Sequence, residues 1–196
     1  MYYHFALVFH FPWAIIFWVI YLLVFLPEFK IVGKSMQTVS SSQDKGTLRL
    51  IVVGQFISVI IGIMLSFLPW FIVPWEFTFF IVGICLLCLG SLLRRICFRI
   101  LGKCFTGKVS VTPEQPIIDR GPYRWVRHPS YTGGFIIFLG IGLALGNILS
   151  TIFLFTATIF IYLRRVRVEE DALLQIVGEP YRIYMNRTKR FIPFIV

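Results

Sequence analysis

Two stretches concentrate the side chains able to bind or react. "GPYRWVRHPSYTGG" (121–134) sets Arg124, Arg127 and His128 beside Tyr123 and Tyr131; "RVEEDALLQIVGEPYRIYMNRTKRFIP" (167–193) carries Glu169, Glu170 and Asp171, then Tyr181, Tyr184 and Arg190. An arginine and a histidine ahead of a proline mark a helix entrance, where free N–H groups and the macrodipole favour an anion. Taken alone, Arg127 and His128 read as interfacial anchors reaching for lipid phosphates. The carboxylates read as a solvated helix face, but only weakly. Arg165 with Glu169 and Arg167 with Asp171 are i,i+4 pairs in the less favourable order, base before acid. Carboxylates this close to an apolar run call for a cation from elsewhere in the chain.

The elements that must position these residues are membrane spans. The chain has 196 residues, is 58% hydrophobic and 17% aromatic, and could not hide that much apolar surface in a soluble core. Apolar runs at Phe5–Leu26, Leu50–Val73 and Phe77–Leu93 are each about the length of a crossing. Two shorter runs, Tyr131–Leu145 and Ile148–Leu163, are separated only by Gly146 and Asn147, which predicts a tight helical hairpin. The expected fold is an all-α integral membrane protein of about five transmembrane helices with a cytoplasmic C-terminal helical segment. The first run lacks a basic n-region and a small-residue cleavage site, so it is expected to stay as a span.

Charge placement gives this topology a direction. All 19 Lys and Arg fall in three segments, Pro27–Arg49, Arg94–Arg127 and Arg164–Arg190, which five crossings put on one side. The opposite turns, Pro74–Glu76 and Gly146–Asn147, have none. Basic residues accumulate on the cytoplasmic side of short loops, so the N-terminus is expected outside and the C-terminus, with any site near it, cytoplasmic. The formal charge of +10 then reflects topology and attraction to anionic membrane lipids. Nucleic acid is not an expected partner, because no soluble basic domain exists to carry it. Cys85 and Cys88 lie mid-span, where thiolates would be costly; with Cys97 and Cys104 they read as packing residues, with neither a metal nor a disulfide implied.

The chain reads as a single domain whose character changes near Gly102. Residues 1–101 hold three spans and a polar loop, "GKSMQTVSSSQDKG" (33–46), expected to be a flexible connector with no chemistry of its own. In 102–196, Val109–Val111 and Ile117–Ile118 flank a Thr-Pro-Glu-Gln turn and predict a small hairpin or extended flap. Pro129 starts the fourth span with His128 near its N-cap. The fifth span continues out of the membrane to Gly178, and Pro180 opens a last helix bearing Tyr181 and Tyr184.

In order and spacing, Arg-His-Pro-x-Tyr, a helical hairpin, Glu-Glu and Gly-x-x-Tyr-x-x-Tyr resemble the isoprenylcysteine carboxyl methyltransferase family and its phospholipid methyltransferase relatives, over about Leu101 to Pro193. The first three spans match in hydropathy only. The resemblance implies an integral membrane enzyme with residues 102–196 as its methyltransferase core and S-adenosylmethionine as cofactor, without a soluble Rossmann domain. Carried over by motif, cofactor contacts would come from Gln115, Pro116, Ile117 and Ile118 on the flap, from Tyr123, from His128, Pro129, Ser130 and Tyr131, and from Glu169. Arg165 would face the methyl acceptor. No Gly-x-Gly-x-x-Gly opens a strand-to-helix unit; Gly140, Gly142 and Gly146 are expected to permit close helix packing.

The chemistry of these side chains suits that assignment. His128 and a helix entrance suit a carboxylate, Glu169 an ammonium or ribose hydroxyls, and tyrosines the adenine ring. Methyl transfer from a sulfonium is an in-line displacement, governed by alignment and a water-poor medium. With a carboxylate acceptor no base is needed, only an arginine to hold the acid: Arg165, helped by Arg190. With a lipid amine acceptor a proton must leave, and Glu170 is the candidate base. The leading expectation is carboxyl methylation of an isoprenylcysteine-like or other lipophilic acceptor arriving from the bilayer. Phospholipid ethanolamine N-methylation is the runner-up, and a noncatalytic lipid-binding protein or small carrier the alternative from another class.

Overall fold

The structure is a computed structural model that describes residues 6–37 and 43–192. The start of the first apolar run at Phe5, the middle of the polar connector (38–42) and Pro193 lie outside the described residues. Six α-helices follow one another: α1 (Trp13–Gln37), α2 (Thr47–Ser66), α3 (Glu76–Leu101), α4 (Pro129–Ala144), α5 (Ile148–Ile176) and α6 (Glu179–Arg187). Four-residue or shorter 3-10 turns stand at Leu7–Phe9, Pro69–Phe71, Gly102–Cys104 and Gly121–Arg124, and no strand occurs among the described residues. The protein is an integral membrane protein: α1, α2, α3 and α5 are long and apolar enough to cross a bilayer. The 16-residue α4 is shorter, about 24 Å at 1.5 Å per residue. Phe56, Met64, Leu89 and Phe160 stand exposed along the helices, as lipid-facing side chains must.

The expected loop from Pro27 is instead helix, for α1 runs on to Gln37. A proline inside a helix orphans the carbonyl four residues before it. That carbonyl, Leu23 O, accepts from Arg95 Nη2 at 2.7 Å. The next residue, Glu28, takes Arg94 of α3 in a two-pronged pair, Nε–Oε1 2.7 Å and Nη2–Oε2 2.9 Å. Two arginines on α3 thus replace the bond Pro27 cannot make and fasten the helix past it.

Close backbone approach joins α3 to α4. A Cβ on Gly83 would lie 2.5 Å from Ala144 N, and one on Gly140 would lie 2.6 Å from Gly83 O. Gly90 and Gly133 repeat the contact seven residues away, about two helical turns. Gly142 lets α4 touch Thr151 of α5 in the same manner. Gly146 closes the hairpin with φ +65°, and Asn147 caps α5 by accepting from Leu149 N and Ser150 N while donating to Leu68 O at 3.0 Å. α2 and α5 run antiparallel, joined by Thr47 to Arg165, Thr158 to Gln55 and Ser150 to Gly62 O.

The two ends of the bundle differ in kind. One gathers the end of α1, the starts of α2 and α4 and the end of α5, and carries the ion pairs Arg94–Glu28, Arg165–Asp44 and Arg127–Glu170. The other, stitched by Leu7 N to Glu76 and Val73 N to Gly146 O, holds no lysine or arginine.

Candidate active site at the membrane edge

Residues 105–120 form neither helix nor strand, and the hairpin form of the flap does not occur. Pro113 and Pro116 deprive it of ladder donors, and only the Thr112 to Gln115 turn closes on itself, at 3.1 Å. The segment pairs with the connector instead. Gln43 N donates to Val109 O at 2.9 Å, Val109 N to Asp44 Oδ1 at 3.1 Å and Val111 N to Gln43 Oε1 at 3.3 Å. Asp44 also accepts from Leu48 N and the Thr47 hydroxyl, capping α2. Burial alone would raise its carboxyl, but the Leu48 and Val109 N–H groups and Arg165 outweigh that and hold it below the usual carboxylate range. The composition of the connector predicts a flexible loop without chemistry. Its described end is instead a buried junction.

Arg165, buried near the end of α5 where it leaves the apolar stretch, organises this junction. Its Nη1 bonds Asp44 and, at 2.8 Å, Thr47 Oγ1; Nη2 donates to Gly107 O at 2.8 Å, and Nε to Tyr131 Oη at 3.1 Å. Tyr131 Oη in turn donates to Glu169 Oε2 at 2.9 Å. Connector, flap, α4 mouth and α5 therefore meet at one guanidinium.

A second cluster clamps the C-terminal tail onto the α4 mouth. Arg127 N and His128 N donate to Lys189 O and Arg190 O at 2.7 and 3.0 Å, and Thr132 Oγ1 to Phe191 O at 2.7 Å. Glu170, 2% exposed, sits beneath them against three basic side chains: Arg127 Nε 3.0 Å, His128 Nε2 3.1 Å and Arg190 Nη2 2.6 Å. Arg127 Nη1 also reaches Met185 O at 3.0 Å and Thr188 O. Burial pushes the Tyr184 phenol up to about 12, so it stays protonated and donates to Tyr123 O at 2.7 Å. Burial likewise raises Tyr123 and Tyr181.

Between the two clusters lies a cavity that opens to solvent, with about 930 Å³ of empty space counting its open mouth. Gln115, Pro116, Ile117, Ile118, Tyr123, His128, Ser130, Tyr131, Arg165 and Glu169 line it. Pro129, the first residue of α4, is absent from the wall. Glu170 and Arg190 are not in the lining either; they bind each other behind it. Val111, Leu173, Val177, Tyr181 and Tyr184, to which the sequence motifs give no site role, also line the cavity. The Tyr181 hydroxyl is buried and has no hydrogen-bond partner among the described residues. Its i,i+3 spacing from Tyr184 was visible in the sequence; its facing the cavity was not.

Fold and site together define a polytopic helical membrane protein with a cavity of mixed polar and apolar lining where a helical hairpin leaves the apolar layer. Residues 81–175 match the model of the Isoprenylcysteine carboxyl methyltransferase (ICMT) family. The chain is 36% identical over 118 residues to a protein-S-isoprenylcysteine O-methyltransferase of Saccharomyces cerevisiae, covering 59% of this chain and 49% of the relative. A Schizosaccharomyces pombe relative of the same name is 35% identical, over 56% and 47% of the two chains. Protein-S-isoprenylcysteine O-methyltransferase B of Arabidopsis thaliana is 29% identical over 83% of this chain and 82% of its own. This chain thus spans about half the length of the yeast relatives. A solved structure of a eukaryotic intramembrane Ras methyltransferase ICMT superposes with a TM-score of 0.55 and 25% identity, over 77% of this chain and 53% of that one.

Proposed function

We propose that the protein is an S-adenosylmethionine-dependent methyltransferase that esterifies the carboxylate of an isoprenylcysteine-like or other lipophilic acceptor, with residues 102–196 as its chemical core and the site on the cytoplasmic side. The observation that carries this reading is the run Arg165–Tyr131–Glu169, a cation, a phenol and a carboxylate in hydrogen-bond sequence on the cavity wall.

The donor set suits such a cofactor. Glu169 offers a carboxylate to an ammonium or to ribose hydroxyls, and the unpartnered Tyr181 hydroxyl offers a buried donor. Ile117, Ile118, Leu173 and Val177 give an apolar slot for a flat ring. Gln115 to Ile118, Tyr123, His128, Ser130 and Tyr131 would complete the binding surface, and Pro129 would fix where α4 begins. The bound cofactor would supply a methyl group on a sulfonium.

The chain's own residues then align and desolvate. Arg165 is held in plane by Tyr131, Thr47, Asp44 and Gly107 O, and one of its five N–H groups is left over among the described residues to meet an acceptor carboxylate. Buried phenols at Tyr123, Tyr181 and Tyr184 remain protonated, so they add no anion to those of Asp44 and Glu169. No proton has to move. Amine methylation would need a base, and Glu170 is enclosed by Arg127, His128 and Arg190, out of the cavity. Glu170 and Arg190 are positioning residues in this reading: they fix the tail that roofs the site.

Two measurements test the proposal. Calorimetry on detergent-solubilised protein should show S-adenosylmethionine binding that Glu169→Ala and His128→Ala weaken at least tenfold. Incubation of membranes with methyl-labelled cofactor should leave base-labile label on a lipophilic acid. No binding by the wild type, or label that survives base in a phosphatidyl head group, overturns it.

A further inference from the structure

The double glycine that closes "GPYRWVRHPSYTGG" has no part in the candidate chemistry, yet each glycine leaves room for one side chain behind the cavity wall. A Cβ on Gly133 would lie 2.7 Å from Cγ of Arg94, which passes there to donate from Nη1 to Ser130 O at 3.1 Å. A Cβ on Gly134 would lie 2.4 Å from Tyr162 Oη and 2.5 Å from its Cε2. The tip of Tyr162 thus occupies the space that any side chain at 134 would take.

Tyr162 is 3% exposed and is not in the lining of the cavity. Its ring meets that of Tyr131, a residue of the cavity wall, at 4.9 Å between centroids and a tilt of 49°. It also borders a second recess, shared with Tyr21 and Phe25 of α1 and Val52 and Phe56 of α2. Val52 and Phe56 are exposed along the bundle, so this recess opens sideways to bilayer hydrocarbon.

Tyr131 is the phenol that joins Arg165 to Glu169. Two hydrogen bonds fix its oxygen, and the Tyr162 ring fixes the plane behind that oxygen, at a separation where aromatic pairs hold each other's orientation. Phe135 in turn closes on Tyr162 edge to face at 5.3 Å. Tyr162, Arg165 and Glu169 stand at i, i+3 and i+7 on α5, one face of the helix. That face grips a single phenol of α4, twice by its hydroxyl and once by its ring.

We propose that Tyr162, admitted by Gly134, is a positioning residue for methyl transfer: by backing the Tyr131 ring it holds the Tyr131 hydroxyl where Arg165 and Glu169 both meet it. This rests on the methyltransferase reading of the cavity. The effect belongs in kcat, because alignment governs an in-line displacement. Binding of the acceptor should change little, since Arg165 keeps Asp44, Thr47 and Gly107 O when Tyr131 shifts.

Full-length protein in detergent is assayed with methyl-labelled S-adenosylmethionine and N-acetyl-S-farnesylcysteine, with rates expressed per mole of protein shown to be folded by its melting curve. Tyr162→Leu should lower kcat about tenfold and leave KM for the acceptor within about twofold, and Tyr162→Phe, which keeps the ring, should recover most of the loss. In a Tyr131→Phe background, Tyr162→Leu should cost no more than about twofold further, since the hydroxyl it serves is gone. Gly134→Ala, whose Cβ meets the Tyr162 tip, should give the same pattern and serves where the leucine variant does not fold. A Tyr162→Leu enzyme with wild-type kcat, a loss shared equally by Tyr162→Phe, or losses that multiply in full in the double variant overturns the proposal. Each of these outcomes requires an active wild type. A wild type that transfers methyl neither to this acceptor nor to membrane lipids defeats the methyltransferase reading itself, and the reaction that Tyr162 would serve goes with it.

Discussion

A guanidinium that gives its N–H groups to Asp44, Thr47, Gly107 and Tyr131 is fixed in one plane, and an ammonium cannot take its place. Arg165→Lys should therefore keep the charge yet lower methyl transfer about 100-fold, read as labelled ester formed per mole of folded protein. Glu170 gives a different expectation. Replacing it with glutamine leaves Arg127 and Arg190 facing a buried neutral amide, which should destabilise the fold by about 3–5 kcal/mol, seen as a fall in melting temperature. The pH dependence of the surviving methyl transfer should not move; a shifted profile would make Glu170 a proton carrier. Asp44 gives a pH signature. Its folded-state carboxyl lies below its unfolded value, so its contribution to stability is complete above the unfolded value near 4. That contribution is lost as pH falls through the lower, folded-state value. Thermal melts of wild type should drop across this acid window more steeply than those of Asp44→Asn. Arg165 and Glu169 were legible because their motif and spacing mark them. Asp44 was hidden in a serine-rich loop, although Asp-Lys-Gly-Thr ahead of an apolar run is a helix-start signal. A cap signal names the end of a helix and says nothing of the partner 121 residues away.

Hydropathy located the helices and misplaced the end of the first. It stops at charges and prolines, whereas α1 continues because Arg94 and Arg95 of α3 neutralise Glu28 and take the Leu23 carbonyl that Pro27 leaves open. That pairing spans 66 residues and leaves no local trace in the sequence. The helical hairpin was legible, since Gly146-Asn147 supplies both the positive φ and the cap at the only break in the run. The α3–α4 seam was legible on one side only: glycines on α4 stood out as packing positions, while Gly83 and Gly90 were lost among the leucines of α3. The seam makes a sharp prediction. A Cβ at Gly83 would meet backbone atoms of Ala144 and Gly140 at 2.5 and 2.6 Å, which no side-chain rotation relieves. Gly83→Leu should force the two helices apart and cost roughly 3 kcal/mol or more, whereas Gly33→Leu, at a position with nothing within 4 Å of a Cβ, should be nearly silent. Melting temperatures of the two variants in one detergent decide the matter.

At the scale of the whole molecule, the proposed reaction requires one small chain to bring a water-soluble ligand and a bilayer-borne one to a single cavity. The asymmetry of the bundle would serve that end. All 19 lysines and arginines lie in segments joined at the end that bears the cavity, and the far end carries none. Anionic lipid head groups attract such an end by roughly 1 kcal/mol per basic residue near the surface, and the preference of basic loops for the cytoplasmic face would retain it there in the proposed topology. The cavity would then open to the compartment that supplies the cofactor, while the recess beside Tyr162 opens sideways to lipid. Single cysteines can test this after Cys85, Cys88, Cys97 and Cys104 are replaced. Trp75 and Arg182, both exposed and at opposite ends of the bundle, are the reporters. In intact cells a membrane-impermeant maleimide should label Trp75→Cys and spare Arg182→Cys until the membrane is permeabilised. The opposite pattern would put the arginine-rich mouth outside, where the cavity could draw on no cytoplasmic methyl donor, and the proposed reaction would have to be abandoned with the topology.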